Sequence, residues 1–283
     1  MSTNLDFTGG KSGGEEAGGE ELAARKRLDA ILAGMKRPLV ALSGGVDSAL
    51  LAARAALRGG GAATLRGSMY AAEETERARS LARQLGIRHY EVFVDSLAVD
   101  EIRRNPADRC YHCRKCGMGK LAELARAEGY GVVIDGENAD DAADYRPGVR
   151  AMRELGLRGP LREAGLGKLW IRRWSAELGL PTADLPAAAC LASRFPPGVP
   201  LSDEALRRVE RAEIFLRRLG LRQVRVRHHG EVARIETDSE SIEFLAGRGR
   251  REEIVDEFVR LGYRRVALDL AGYQAGSLNP LPA

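Results

Sequence analysis

The run Pro38-Leu39-Val40-Ala41-Leu42 is apolar without alternation, the pattern of a strand buried on both faces of a parallel sheet. It breaks off at Ser43-Gly44-Gly45. From Asp47 to Leu57 the apolar residues Ala49, Leu50, Leu51, Ala52 and Ala53 follow a helical pattern, which Gly59-Gly60-Gly61 ends. The same alternation of elements continues on both sides. Glu20 to Gly34 predicts a helix with Leu22, Leu28, Ile31 and Leu32 as its stripe. Ala62 to Met69 predicts a second strand, Glu73 to Leu85 a helix ended by Gly86, and Arg88 to Val94 a third strand of period two. A linker from Asp95 to Arg109 leads to Cys110–Cys116, which runs into a helix ending at Glu128. Gly131 to Asp135 is a short apolar strand. Strands alternating with helices predict an α/β protein with a doubly wound parallel sheet and ligands at the strands' carboxyl ends.

From Tyr145 the pattern changes. Arg146-Pro147-Gly148 and Gly159-Pro160-Leu161 read as turns, with Val149–Leu155 a short helix between them and Lys168–Leu178 a longer one after them. Pro181 to Pro200 is irregular and longer than a plain connection, which marks it as functional; it holds Cys190 and Arg194. Ser202 is placed to cap a helix reaching Leu219. Gln223–His229 and Val232–Thr237 form a hairpin about Gly230-Glu231, followed by a helix over Glu252–Leu261 and a strand over Arg265–Leu270. The expected division is a disordered leader (1–19), a nucleotide-handling domain (20–185), a functional linker carrying Cys190 (186–201), and a smaller C-terminal α+β domain for substrate binding and assembly (202–283).

A chain of 283 residues makes one large or two modest domains. No run approaches the roughly 18 apolar residues of a membrane span, and the polar, glycine-rich leader lacks the apolar centre of a signal peptide, so the cytoplasm is expected. Net charge is +4, and 38 Arg stand against 6 Lys. The excess is not gathered: from Ser202 to Ala283 there are 15 Arg and 14 Asp plus Glu. No basic stripe is present, so nucleic acid is not the expected partner.

A strand, a glycine turn and a helix start set unpaired backbone N–H groups at the positive end of a helix dipole, which makes Ser43–Ser48 an anion site. The spacing is neither Gly-x-x-x-x-Gly-Lys-Ser/Thr nor Gly-x-Gly-x-x-Gly. Asp47, Asp140 and Asp141 are candidates for holding Mg²⁺ against phosphates, since a hard cation takes carboxylate oxygens, though each could instead cap a helix. Arg225 and Arg227 share one face of a strand, where two guanidinium groups can grip a phosphate, with Arg194 and His229 near turns. The cysteines allow three chemical readings beside that of small apolar residues. Cys110, Cys113 and Cys116 with His112 or Cys190 would make a tetrahedral Zn²⁺ site. A Cys-x-x-Cys with a distant cysteine would hold a [4Fe–4S] cluster with one open iron. Cys190 near arginines would serve as a sulfur nucleophile.

Ser43-Gly44-Gly45-Val46-Asp47-Ser48 resembles the pyrophosphate loop of the N-type ATP pyrophosphatases, or adenine-nucleotide alpha hydrolases, which cleave ATP between the α and β phosphates and adenylylate a substrate. More specific stretches resemble the LarE family of ATP-dependent sulfur transferases. They are Asn105-Pro106 with Arg109-Cys110-Tyr111-His112-Cys113, Asp135–Asp141, Pro186–Arg194, Arg225-Val226-Arg227-His228-His229-Gly230 and Gly272-Tyr273 with Gly276-Ser277. The resemblance runs from about Leu28 to Asn279 and implies ATP and Mg²⁺ as cofactors. Nucleotide contacts would come from Ser43, Gly44, Gly45, Asp47, Ser48, Ser68, Met69 and Gly136. It implies a small-molecule nucleotide substrate, a pyridinium dicarboxylate mononucleotide whose phosphate Arg225 and Arg227 would hold, with Arg194 on a phosphate or carboxylate. A carboxylate is adenylylated and then converted to a thiocarboxylate. The sulfur comes either from Cys190, which becomes dehydroalanine, or from a [4Fe–4S] cluster on Cys110, Cys113 and Cys190, with Cys116 as a competing ligand. The family tends to form homo-oligomers. Other function classes on the same loop are a tRNA-thiolating enzyme, an ammonia-using adenylylating synthetase and a non-catalytic nucleotide binder.

Overall fold

The computed structural model describes residues 12–143 and 147–274. The chain runs α1 (Ser12–Ala33), β1 (Pro38–Ala41), α2 (Val46–Ala56), β2 (Gly61–Arg66), α3 (Ala72–Gln84), β3 (Arg88–Phe93), α4 (Asp100–Arg103), α5 (Arg109–Ala127), β4 (Val132–Ile134), α6 (Pro147–Glu154), α7 (Pro160–Glu163) and α8 (Lys168–Glu177). It then continues through α9 (Asp203–Arg218), β5 (Val224–His229), β6 (Val232–Thr237), α10 (Ser239–Ala246), α11 (Arg248–Arg260) and β7 (Arg265–Leu268). Of the leader expected over 1–19, residues 1–11 lie outside the described residues, and Ser12 onward belongs to α1. Arg146, Gly276 and Ser277 also lie outside them.

The first sheet is parallel, in the order β3-β2-β1-β4. Alternation along each strand sorts its side chains onto two faces. Val40, Ala62 and Ile134 join Leu28, Leu50, Leu51, Leu81 and Ile171 on one side. Leu39, Ala63 and Val133 join Leu121, Ala125 and Tyr130 on the other. Helices therefore cover both faces, and the apolar run of β1 is buried from both directions. The predicted linker after β3 contains a 3₁₀ turn at Ser96–Ala98 and the short helix α4. The helix α10, whose Asp238 accepts from the Ser241 N–H, goes beyond the sequence expectation.

The second sheet has the order β5-β6-β7, with β5 and β6 antiparallel about Gly230-Glu231 and β7 parallel to β6. Ser202 caps α9 by accepting from the Ala205 N–H. Val224, Val226, Ala233 and Ile235 face a core with Leu216, Phe258 and Tyr263. Arg225, Arg227, Arg234 and Glu236 fall on the opposite face by the same period-two rule. A third apolar cluster joins the two sheets. Met69, Ile102, Leu191, Ala192, Phe195, Leu201, Leu206 and Val209 meet there, with Tyr70, Cys113, Cys116 and Cys190 packed against them.

Candidate active site

Ser43 to Gly45 link β1 to α2, and the loop is tied to itself. The Ser43 N–H donates to Ser48 Oγ at 3.2 Å, the two hydroxyls lie 3.0 Å apart, and Ser48 Oγ donates to the Gly45 carbonyl at 3.2 Å. No side chain caps α2 at Gly45, so its first N–H groups face the space over the loop. Gly44 has φ +78°, and a Cβ there would stand 2.7 Å from the Glu74 carbonyl oxygen. Gly136 lets the end of β4 approach: a Cβ there would stand 2.8 Å from the Ser48 nitrogen.

Asp47 stands in the first turn of α2. Its Oδ2 accepts from Lys168 Nζ at 2.5 Å, while Oδ1 is buried with no hydrogen-bond partner. Burial pushes the Asp47 carboxyl up from the ordinary aspartate value; Lys168 and Arg172 oppose the rise and Asp141 adds to it. A buried carboxylate oxygen without a donor, with Asp141 near enough to be felt, suits a cation. Asp140 has another duty. Its Oδ2 accepts from the Lys168 N–H at 2.6 Å, capping α8, whose preceding Gly167 has no side chain. Of the two readings open for Asp140, the cap is the one this geometry shows.

A cavity of about 110 Å³ opens at the carboxyl ends of β1 and β2, lined by Ser43, Thr64, Tyr70, Glu74 and Met118 among others. Ser68, expected to border the nucleotide, instead lines a separate opening with Asp203 and Glu210, and it donates to Asp203. Met69, expected to border the nucleotide, has a buried side chain in the third apolar cluster. Its carbonyl accepts from the Leu191 N–H at 3.0 Å.

Cys113, Cys116 and Cys190, the last more than seventy residues from the other two, come together at Tyr70. The Tyr70 hydroxyl donates to Cys113, and the thiols of Cys190 and Cys116 lie near enough to raise its pKa further beyond what burial does. Burial pushes the Cys113 thiol up to about 12. Arg109, 8% exposed, sends Nη2 to both Cys110 Sγ (3.7 Å) and Cys190 Sγ (4.0 Å). Its Nη1 donates to Asn105 Oδ1 at 2.5 Å and to the Ala192 carbonyl at 3.0 Å. Among the described residues no three Cys, His, Asp or Glu side chains are arranged to hold a metal ion. The guanidinium of Arg109 lies against two of the sulfurs that a cluster would need, and His112 Nε2 pairs with Asp108 at 3.3 Å rather than completing a zinc site.

The predicted arginines come together, but on protein acceptors. Arg194, 3% exposed, forms a bidentate pair with Glu213 (2.8 and 2.9 Å) and donates to the carbonyls of Ala189 and Cys190. Glu213 also accepts from Arg217 and from the Val226 N–H. Burial works against its charge, but Arg194, Arg225 and Arg217 outweigh it and hold the Glu213 carboxyl below the ordinary glutamate value. Arg225 donates to the Ala187 carbonyl at 2.6 Å. Arg227 donates to the Ser193 carbonyl at 3.0 Å and pairs with Glu236 at 2.6 Å. The shared strand face therefore points at the Cys190 segment.

The asparagine synthase family model matches residues 32–193. An uncharacterized protein of Synechocystis sp. is 45% identical over 248 residues, which cover 87% of this chain and 92% of that one. Pyridinium-3,5-bisthiocarboxylic acid mononucleotide synthase of Lactiplantibacillus plantarum is 36% identical over 264 residues, 91% of this chain and 95% of that one. The chain belongs to the LarE family. Among solved structures, NMN synthetase from Francisella tularensis aligns with a TM-score of 0.47 and 21% identity, covering 59% of this chain and 75% of that one.

As a LarE family member carrying a pyrophosphatase loop, the protein is an ATP-dependent enzyme. Among the described residues no helix is long and apolar enough to cross a membrane. Within the LarE family frame, four residues of the site escaped sequence reasoning: Lys168, Tyr70, Arg109 as a sulfur contact, and Glu213. Lys168 opens a helix 121 residues after Asp47, and Glu213 reads as an ordinary charge on an amphipathic helix. Only Tyr70 gave a local signal, since it follows the strand end that was expected to border the nucleotide.

Proposed function

We propose that the chain is an ATP-dependent sulfur transferase. It adenylylates a carboxylate of pyridinium-3,5-biscarboxylic acid mononucleotide and converts it to the thiocarboxylate, with Cys190 as the sulfur source. The observation that carries this reading is the wall between two compartments. Tyr70 lines the cavity at the loop and donates to Cys113 on the other side, and its neighbour Met69 anchors Leu191, next to Cys190. An acyl adenylate formed over the loop would thus lie one side chain away from the thiols.

The substrate carboxylate attacks the α-phosphorus of ATP and pyrophosphate leaves. The N–H groups at the start of α2 and the helix dipole stabilise the departing charge. Mg²⁺ would be held by Asp47 with Asp141, the orphaned Oδ1 of Asp47 supplying an oxygen, and would neutralise phosphate charge. The Cys190 sulfur then adds to the acyl carbon, and AMP leaves with the bonding electron pair. A thioester to Cys190 results. Loss of the Cys190 Cα proton with cleavage of its Cβ–Sγ bond releases the thiocarboxylate and leaves dehydroalanine. Arg109 supplies positive charge beside the attacking sulfur. Arg225 and Arg227 would exchange the carbonyls of Ala187 and Ser193 for the substrate phosphate.

Intact mass before and after one turnover tests the reading. The protein should lose about 34 Da, the mass of H₂S, localised to Cys190. Product formed with no change in protein mass would transfer the sulfur source to a cluster, and no ATP-dependent sulfur-containing product under air or without it would end the proposal.

A further inference from the structure

Between α8 and α9 the strap from Leu185 to Cys190 has no regular secondary structure, yet the carbonyls of Leu185, Ala187, Ala189 and Cys190 are paired. Arg172 of α8 donates Nη1 to the Ala183 carbonyl at 2.5 Å and Nη2 to the Leu185 carbonyl at 2.7 Å. Arg225 takes Ala187, Arg194 takes Ala189 and Cys190, Arg109 takes Ala192 and Arg227 takes Ser193. The acceptors at 185, 187 and 189 alternate, as they do along an extended strand. Arginine side chains stand where a neighbouring strand would supply N–H groups. Pro186 to Ala189 are exposed, so water could serve these carbonyls; a charged donor holds a carbonyl more firmly than a neutral one and fixes its place.

Arg172 differs from the others in what else it touches. Arg109 reaches the Cys190 sulfur, and Arg194, Arg225 and Arg227 belong to the face expected to meet substrate. Arg172 grips the root of the strap, one helical turn after Lys168, whose ammonium grips Asp47 of the phosphate loop. One helix thereby supports both compartments. We infer that Arg172 is a positioning residue for Cys190: through the carbonyls of Ala183 and Leu185 it sets the path of the strap so that the sulfur meets the acyl adenylate. The inference rests on the sulfur-transferase reading for its catalytic consequence, but not for the anchoring itself.

The test compares the full-length protein with Arg172→Met and Arg172→Lys. Three quantities are read: amide hydrogen exchange over residues 183–193, ATP–pyrophosphate exchange with substrate present, and single-turnover thiocarboxylate formation. Losing two charge-assisted hydrogen bonds should speed exchange in the strap by about tenfold or more in Arg172→Met. Thiocarboxylate formation should slow by about tenfold or more, while ATP–pyrophosphate exchange stays within about threefold of the parent. Lysine, able to reach one of the two carbonyls, should recover part of both losses. Unchanged strap exchange in Arg172→Met overturns the inference, as does an equal fall in both half-reactions, which would mark structural damage or the loss of the Arg172 charge near Asp47. If Arg172→Met does not fold, failure of Arg172→Lys to separate the half-reactions overturns it. A parent protein that forms no acyl adenylate would defeat the functional reading instead, with strap exchange still deciding the anchoring.

Discussion

The phosphate loop and the Cys190 strap are built in opposite ways. The backbone and hydroxyls of Ser43 to Ser48 are held by bonds among its own residues, spanning at most five positions, while the Asp47 carboxylate reaches out to Lys168. The strap is held by arginines from α5, α8, the 3₁₀ turn at Leu191–Arg194 and β5, the farthest being 83 positions away. A loop that satisfies itself is stiff wherever the flanking strand and helix exist. A strap that borrows its donors is only as ordered as the arrangement of the elements that lend them.

That contrast can be broken most decisively at the sulfur. Cys190→Ser should form no detectable thiocarboxylate while ATP–pyrophosphate exchange persists, measured by mass spectrometry of the product and by radiolabel exchange. If exchange disappears as well, the two regions do not act as separate steps. The next largest effect belongs to Glu213→Gln, which leaves Arg194 buried with half its pairing lost. Urea unfolding should show a loss of about 3–5 kcal/mol, and a loss below about 1 kcal/mol would mean that the strap is not anchored through this pair.

Gly44→Ala probes the self-contained loop. A Cβ at φ +78° and 2.7 Å from the Glu74 carbonyl displaces the loop, and ATP–pyrophosphate exchange should fall by about 100-fold. Strap exchange should stay as in the parent. A strap loosened by Gly44→Ala would erase the distinction between the regions.

The smallest effect is in pH dependence. The folded pKa of Glu213 is depressed, so its pair with Arg194 contributes in full above the ordinary glutamate value, about 4.3, and that contribution fades as pH falls through the lower folded value. The stability gap between the parent and Glu213→Gln should be flat near neutrality and narrow in acid. A gap that widens on acidification would mean that the carboxyl is protonated in the folded protein.

How much of this was legible follows from the same contrast. The apolar run of β1, the glycine turn and the start of α2 needed only neighbouring residues. The period-two pattern placed Arg225 and Arg227 on one face, which the structure bears out, since both reach the 187–193 segment. What that face meets did not follow from period two. A guanidinium serves a phosphate or a row of carbonyls equally well, and only the path of the strap decides which is nearby. Asp140 shows the same limit. Its carboxylate caps α8 across 28 positions, a partner that no helical spacing could reveal.

By itself, the sequence determined the parallel sheet, the phosphate loop and the hairpin, because backbone preference and apolar periodicity act over a few residues. Tertiary structure decided that Lys168 answers Asp47, that Arg109 stands beside two thiols, and that arginines take the place of a strand beside Cys190. Those pairings depend on which distant elements pack together, and packing is set by the cores beneath them rather than by the residues that finally meet.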